Sequence, residues 1–89
     1  MNDDGHLDGN ALAGFFVEIF GQEMTDQRGC CGDCGAISML GAVHVYRDAP
    51  GDVMRCPVCY HVLMVIVGVE SGYRMSFESL RWVEASPQS

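Results

Sequence analysis

Four of the five cysteines fall into two matched pairs, Cys31/Cys34 and Cys56/Cys59, each with two residues inside it and 21 residues between the pairs. A two-residue spacer lets both sulfurs of a pair reach one ion from a single tight turn. Two such turns complete the tetrahedral all-sulfur shell that structural zinc favours. The pattern therefore points to one Zn(2+) held by Cys31, Cys34, Cys56 and Cys59. A rubredoxin-like iron centre uses the same four sulfurs and stays open as the alternative ion. A thioredoxin-type redox pair would need a βαβ setting that the sequence lacks.

The stretch "GCCGDCG", residues 29–35, carries a third thiol, Cys30. Pairing Cys30 with Cys34 would require a three-residue spacer and break the match with Cys56-Pro57-Val58-Cys59, so Cys30 is the thiol left outside the set. Gly35 follows Cys34 where the chain must turn sharply, and positive φ costs glycine nothing there. The second loop has Tyr60 at that place. His44 and His61 are each read as partly buried or surface histidines rather than ligands, because His61 lies two residues past Cys59 and His44 falls in mid-strand.

Catalysis by acid–base or nucleophilic chemistry would need paired titratable groups in a pocket. The candidates, Asp26, Asp48, Asp52, Glu70 and Glu78, are scattered singles, each read as a solvated carboxylate. A catalytic zinc keeps one position open, whereas four thiolates close the shell. No enzyme and no small-molecule substrate is expected.

The elements that must position the cysteines follow from the pattern around them. In "LDGNALAGFFVEIFG", Asp8 is placed to cap a helix over residues 9–20, with Leu7 and Leu12 as its hydrophobic staple. Leu12, Phe15, Phe16, Ile19 and Phe20 follow the helical spacing, and Gly21 stops it in the left-handed conformation. The segment Ala36 to Tyr46 is rich in strand formers, and Pro50-Gly51 marks a turn. The interval between the cysteine pairs thus runs out along one strand and returns along another. Tyr60 to Val69 reads as the most apolar strand. "ESG" is a turn, "YRMSF" alternates as a half-buried strand, and the "SLRWV" region adds a short last strand. The expected fold class is α+β, a zinc-ribbon-like small antiparallel sheet with one N-terminal helix. The expected organisation is a flexible N-terminus over 1–6, a single domain over 7–84 and a flexible tail over 85–89.

Eighty-nine residues bury a modest core, so a staple is needed, and the cysteines supply it. The acidic start "MNDDGHLDGN" lacks a signal peptide's basic residues and implies a cytoplasmic chain with thiols in reduced form. The longest apolar run, Val62 to Val69, is far short of the roughly 20 residues a membrane helix needs. Twelve Asp and Glu against five Arg give a net charge of -7. Four thiolates and one Zn(2+) would take it two units lower. With the arginines dispersed, nucleic acid is a disfavoured partner.

The runs "DGNALAG", "FG-EMT", "C--CG" and "VY--APG-V-RC--C--VLMVIV", over about residues 7 to 69, resemble a group of short actinobacterial proteins known as a domain of unknown function. Beyond Val69 the resemblance weakens. It implies a zinc-ribbon-like domain and carries over no catalytic residue.

These readings favour a protein–protein interaction or regulatory adaptor module. The alternatives are a transcription-associated nucleic-acid-binding ribbon, and a zinc- or redox-responsive regulator with Cys30 as its sensor thiol. A helix wound at 100° per residue carries an apolar arc of about 200° here, where a helix lying on one sheet needs a little over 100°. Either the C-terminal Leu80, Trp82 and Val83 fold over the surplus, or its edge at Val17 and Phe20 docks on a protein partner or a second copy.

Overall fold

The computed structural model describes residues 6–48 and 51–86. Most of the termini expected to be mobile, 1–5 and 87–89, lie outside the described residues. The chain begins with β1 (His6–Asp8) and a 3-10 turn (Gly9–Leu12), which leads into α1 (Ala13–Phe20). The strands β2 (Arg28–Cys31), β3 (Ile37–Met39), β4 (His44–Asp48) and β5 (Gly51–Arg55) follow, then β6 (Val62–Val69), β7 (Gly72–Phe77) and β8 (Leu80–Val83). Two antiparallel sheets result, one ordered β1-β4-β5-β6-β7 and the other β3-β2-β8. The fold is a small α+β domain with one α-helix among the described residues.

The helix is capped as its sequence requires. The Asp8 carboxylate accepts from the Asn10 amide, and Gly21 closes the C-terminus at φ 74° with its amide on the Val17 carbonyl. Its first turn, however, is 3-10 rather than α. Gly9 lies so close to the neighbouring 3-10 turn (Leu40–Ala42) that an added Cβ would fall 1.6 Å from the Leu40 carbonyl oxygen, which leaves room only for bare backbone. The tighter winding shifts the helical wheel, and α1 buries Phe16 alone. Leu12 is buried in the turn before it.

The single strand expected over Ala36 to Tyr46 is two strands in different sheets. Between them the Leu40 and Gly41 amides bond back to the Gln27 and Thr25 carbonyls at 2.8 and 2.9 Å, so long-range backbone pairing breaks a run whose composition favours extension. β4 and β5 then pair from His44↔Arg55 to Asp48↔Gly51. Of the expected Pro50-Gly51 turn, Gly51 is the first residue of β5, while Ala49 and Pro50 lie outside the described residues.

The core joins both sheets and the helix. Leu12, Phe16, Met24, Leu40, Val43, Val45, Met54, Leu63, Met64 and Ile66 form one buried cluster with Cys31 and Cys56. Leu63 and Met64 are consecutive yet both buried. The β5–β6 register jumps there, with Met54 opposite Met64 but Arg55 opposite Val62, so Leu63 is the extra residue of a bulge. A second register shift, between Cys30 and Cys31, leaves Arg81 of β8 unmatched. Each irregularity adjoins one cysteine loop.

Candidate metal centre

The two cysteine loops have the same backbone bonding. In the first, the Cys31 amide donates to the Ala36 carbonyl (2.9 Å) and the Gly35 amide to the Cys31 carbonyl (2.8 Å). In the second, the Cys56 amide donates to the His61 carbonyl (2.9 Å) and the Tyr60 amide to the Cys56 carbonyl (3.0 Å). Position five of each loop is left-handed, Gly35 at φ 79° and Tyr60 at φ 68°. Tyrosine thus occupies a conformation that glycine adopts freely and that costs a residue with a Cβ roughly 1 kcal/mol. Its ring lies 5.5 Å from that of His44, and the Arg55 guanidinium donates to its carbonyl at 3.0 Å.

The first loop joins β2 to β3 in the three-stranded sheet and the second joins β5 to β6 in the five-stranded one, so the loops bring the two sheets together through sulfur. The four Sγ atoms of Cys31, Cys34, Cys56 and Cys59 lie within 4.8 Å of one another. Cys31 to Cys59 spans 3.6 Å and Cys34 to Cys56 spans 3.7 Å. A tetrahedron with metal–sulfur bonds of about 2.3 Å has edges of about 3.8 Å. Two edges are already of that length, and an inward shift of about 1 Å closes the widest. The donor set fits a four-coordinate ion. Among the described residues it is the group of three or more Cys, His, Asp or Glu side chains close enough to share one.

Burial repeats the duplication, since the first cysteine of each pair, Cys31 and Cys56, is buried, whereas Cys34 is exposed and Cys59 half-buried. The thiols also divide their protons unequally. Burial pushes Cys56 up, but hydrogen bonds from the Cys59 and Val58 amides and from the Cys34 and Cys59 thiols outweigh it and bring the group down to about 7. At Cys59 a bond from the His61 amide lowers the value. Burial and the bonds with Cys31, Cys34 and Cys56 prevail and raise it to about 12. Cys34 is raised as well: the Ala36 amide lowers it, but burial and the bonds with Cys56 and Cys31 win. Of these three thiols Cys56 is therefore the readiest thiolate.

Cys30 lies outside the cluster, as the spacing implies. It is 7% exposed, with its Sγ 3.6 Å from the Cys31 carbonyl and 3.9 Å from that of Gly35, so it fills the inside of the first loop. His61 is not one of the clustered ligands, yet the sequence reading understated its place. Its Nδ1 is 3.3 Å from the Cys59 Sγ and 3.6 Å from the Asp33 carboxylate, and Asp33 accepts from the Ser79 hydroxyl. An acid from one loop and an imidazole from the other thus meet beside the sulfur, an arrangement typical of the groups that orient ligands from behind. The equivalence of Ala36 and His61 at position six was the available signal. His44 is half-buried in β4, against Tyr60.

The scattered carboxylates stay apart from this centre. Asp52 faces Arg47 at 3.6 Å, Asp26 lines an open hollow of mixed character with Asp8, Thr25 and Met39 among others, and Glu70 and Glu78 are exposed. The side chain of Asp48 lies outside the described residues. On the helix, Val17 is 49% and Phe20 37% exposed. Leu80 and Val83 of β8 line an apolar cleft with Phe16, Phe20, Met24 and Phe77, so the C-terminal strand covers part of the apolar arc and leaves the Val17 edge open. No helix among the described residues is long and apolar enough to cross a membrane.

The model of one protein family, described as a family of unknown function (DUF6510), matches residues 3–88. No curated protein and no solved structure matches the chain. The match reaches well past Val69, where the resemblance in the sequence fades, and takes in β7 and β8. The chain belongs to this family.

Proposed function

We propose that this family member is a structural-zinc domain of the cytoplasm that acts as a protein–protein interaction or regulatory adaptor module and has no catalysis of its own. Zn(2+) is held by Cys31, Cys34, Cys56 and Cys59 as thiolates. The observation that carries the reading is the four-sulfur cluster assembled from one loop of each sheet. Four thiolates close a tetrahedral shell and leave no place for a reacting water, which supports a structural ion over a catalytic one. Such an ion contributes on the order of 10 kcal/mol, comparable to the whole net stability of a small domain.

The partner is a protein, which docks at the exposed edge of α1 around Val17 and Phe20. The net charge of -7 supports this over a nucleic-acid-binding ribbon, since phosphate recognition needs clustered cations. The burial of Cys30 inside the first loop speaks against a sensor thiol, which needs access to its oxidant. Elemental analysis of protein purified without added metal tests the ion: one zinc per chain is expected, and iron, or an intact fold with no metal, overturns the assignment. Affinity capture of the tagged protein beside a Val17→Glu, Phe20→Glu variant tests the surface. A partner held by the parent and lost by the zinc-loaded variant is expected, and equal capture by both overturns the docking edge.

A further inference from the structure

The five-stranded sheet ends at β1 on one side and at β7 on the other. β7 has six residues, whereas the other outer strands among those described, β1, β3 and β8, have three, three and four. An edge of that length with free amides and carbonyls is a template for another strand. Which residues offer their backbone follows from the pairing with β6. The Glu78 amide donates to the Leu63 carbonyl at 2.9 Å, and Val65↔Ser76 and Val67↔Arg74 continue the same register. In an antiparallel ladder the N–H and C=O of one residue point to the same side and alternate along the strand. Arg74, Ser76 and Glu78 therefore turn their backbone to β6, while Tyr73, Met75 and Phe77 turn theirs outwards.

We propose that β7 pairs antiparallel with β7 of a second copy of this chain about a two-fold axis at Ser76, joining the two five-stranded sheets into one. Outward-facing residues must meet outward-facing residues, which restricts the axis to a few positions, and charge chooses among them. An axis at Arg74 sets arginine against arginine. An axis at Met75 sets Arg74 against Ser76. The axis at Ser76 sets each Arg74 against Glu78 of the other copy, in pairs without ladder hydrogen bonds, where facing Cα atoms are closest at about 4.5 Å. An axis at Gly72 also matches Arg74 with an acid, Glu70, but runs the seam through the turn at 70–71, whereas the axis at Ser76 keeps Met75, Ser76 and Phe77 of β7 in the ladder and takes in Glu78 immediately beyond the strand. In its own chain neither Arg74 nor Glu78 makes an ion pair among the described residues.

The apolar face of the strand agrees with this register. Phe77 is 59% exposed, and the axis at Ser76 places it opposite Met75 of the second copy, where the two outward-facing backbones also exchange hydrogen bonds. The interface is isologous, so each contact occurs twice. The ordinary role of a charged residue on an outer strand is to keep other strands away. That role would leave the protein monomeric, and molar mass distinguishes the two.

The test is the molar mass of the metal-loaded full chain by light scattering and sedimentation, at about 100 µM and through serial dilution, a range that captures any dimer with Kd near or below roughly 1 µM. A mass of twice 9.7 kDa is expected for the parent. Glu78→Arg, at an exposed position, should keep one metal per chain and raise the dissociation constant at least about tenfold, because two attractive pairs become repulsive. The exchange Arg74→Glu with Glu78→Arg restores opposite charges across the same axis and should restore the dimer. A monomeric parent overturns the proposal. So does a Glu78→Arg protein that stays as dimeric as the parent, and so does a charge exchange that leaves the protein monomeric.

Discussion

Replacing Gly35 by alanine isolates the backbone demand of the metal loops from every other contribution. Gly35 has φ 79°, and an added Cβ would meet nothing within 4 Å, so the substitution introduces no clash and removes no contact. What remains is the left-handed conformation, which costs a residue with a Cβ about 1 kcal/mol or a little more. For a domain of this size that lowers Tm by about 4–8 °C. Thermal unfolding of the metal-loaded protein, followed by fluorescence of the single tryptophan, Trp82, which pairs with Cys30 at the base of the first loop, reads the change directly. The companion variant Tyr60→Gly relieves the same strain at φ 68° in the second loop. It also loosens the unfolded chain, by about 0.5–1 kcal/mol, and removes the ring packed against His44. Those terms oppose the relief, so Tm should move by less than half as much as at Gly35. A Gly35→Ala protein that melts with the parent would refute the equivalence of the two loops, and a Tyr60→Gly protein stabilised by the full 4–8 °C would show that nothing offsets the strain of Tyr60.

The remaining predictions concern the ion and the charge. Changing any one of Cys31, Cys34, Cys56 or Cys59 to serine should abolish stoichiometric metal, whereas Cys30→Ser should keep one ion per chain; elemental analysis of the five variants checks both. Acid should release the metal. Near pH 8 both Cys34, raised above its ordinary value, and Cys59, raised to about 12, must lose protons on binding, so affinity should climb about 100-fold per pH unit or more. Below the Cys56 value of about 7 one further proton joins, and competition titrations against a chelator should show the slope steepen by about another tenfold per pH unit. Neither duplex nor single-stranded nucleic acid should bind with sub-micromolar Kd at about 150 mM salt, measured by fluorescence anisotropy, because the chain has a net charge of -7 and no cluster of arginines.

The four-cysteine cluster was legible in the sequence because a shared ion would dictate both the identity of its donors and the short spacing that lets two of them share a turn. The helix end at Gly21 and the extent of β7 were legible for a related reason, since each depends on neighbours in the chain, whereas the half-buried face expected of β7 is largely exposed, with Met75 alone half-buried. What escaped depends on partners far away in sequence. The Ala36 to Tyr46 run has the composition of one strand, and it is divided by amides of Leu40 and Gly41 bonding to carbonyls of Gln27 and Thr25. The 3-10 winding of Gly9–Leu12 comes from the same crowded crossing, where Gly9 touches Leu40. The bulge at Leu63 leaves no mark in an apolar run, because every residue around it is equally able to face the core. The short last strand was foreseen, but its place beside β2 was not, for pairing choice is set by the register of the whole sheet.

The two loops are alike in backbone and unlike in what they present. The first carries Gly32 and Asp33 between its cysteines, and Asp33 is engaged by Ser79 and His61. The second carries Pro57 and Val58, with Val58 63% and Tyr60 54% exposed. Holding an ion requires only the sulfurs and the amides that turn the chain around them, so the side chains at the loop tips are released from the metal's demands. An exposed valine at such a tip adds nothing to the core and keeps apolar surface in water. A polar residue would serve the loop equally well, so the ion's demands do not account for the tip composition. The same reasoning applies to Val17, Ile37, Met39 and Phe77, which the fold also leaves about half-exposed. An ion bound at the four sulfurs would fasten the two small sheets together and leave Val58 and Tyr60 exposed at the tip of the second loop.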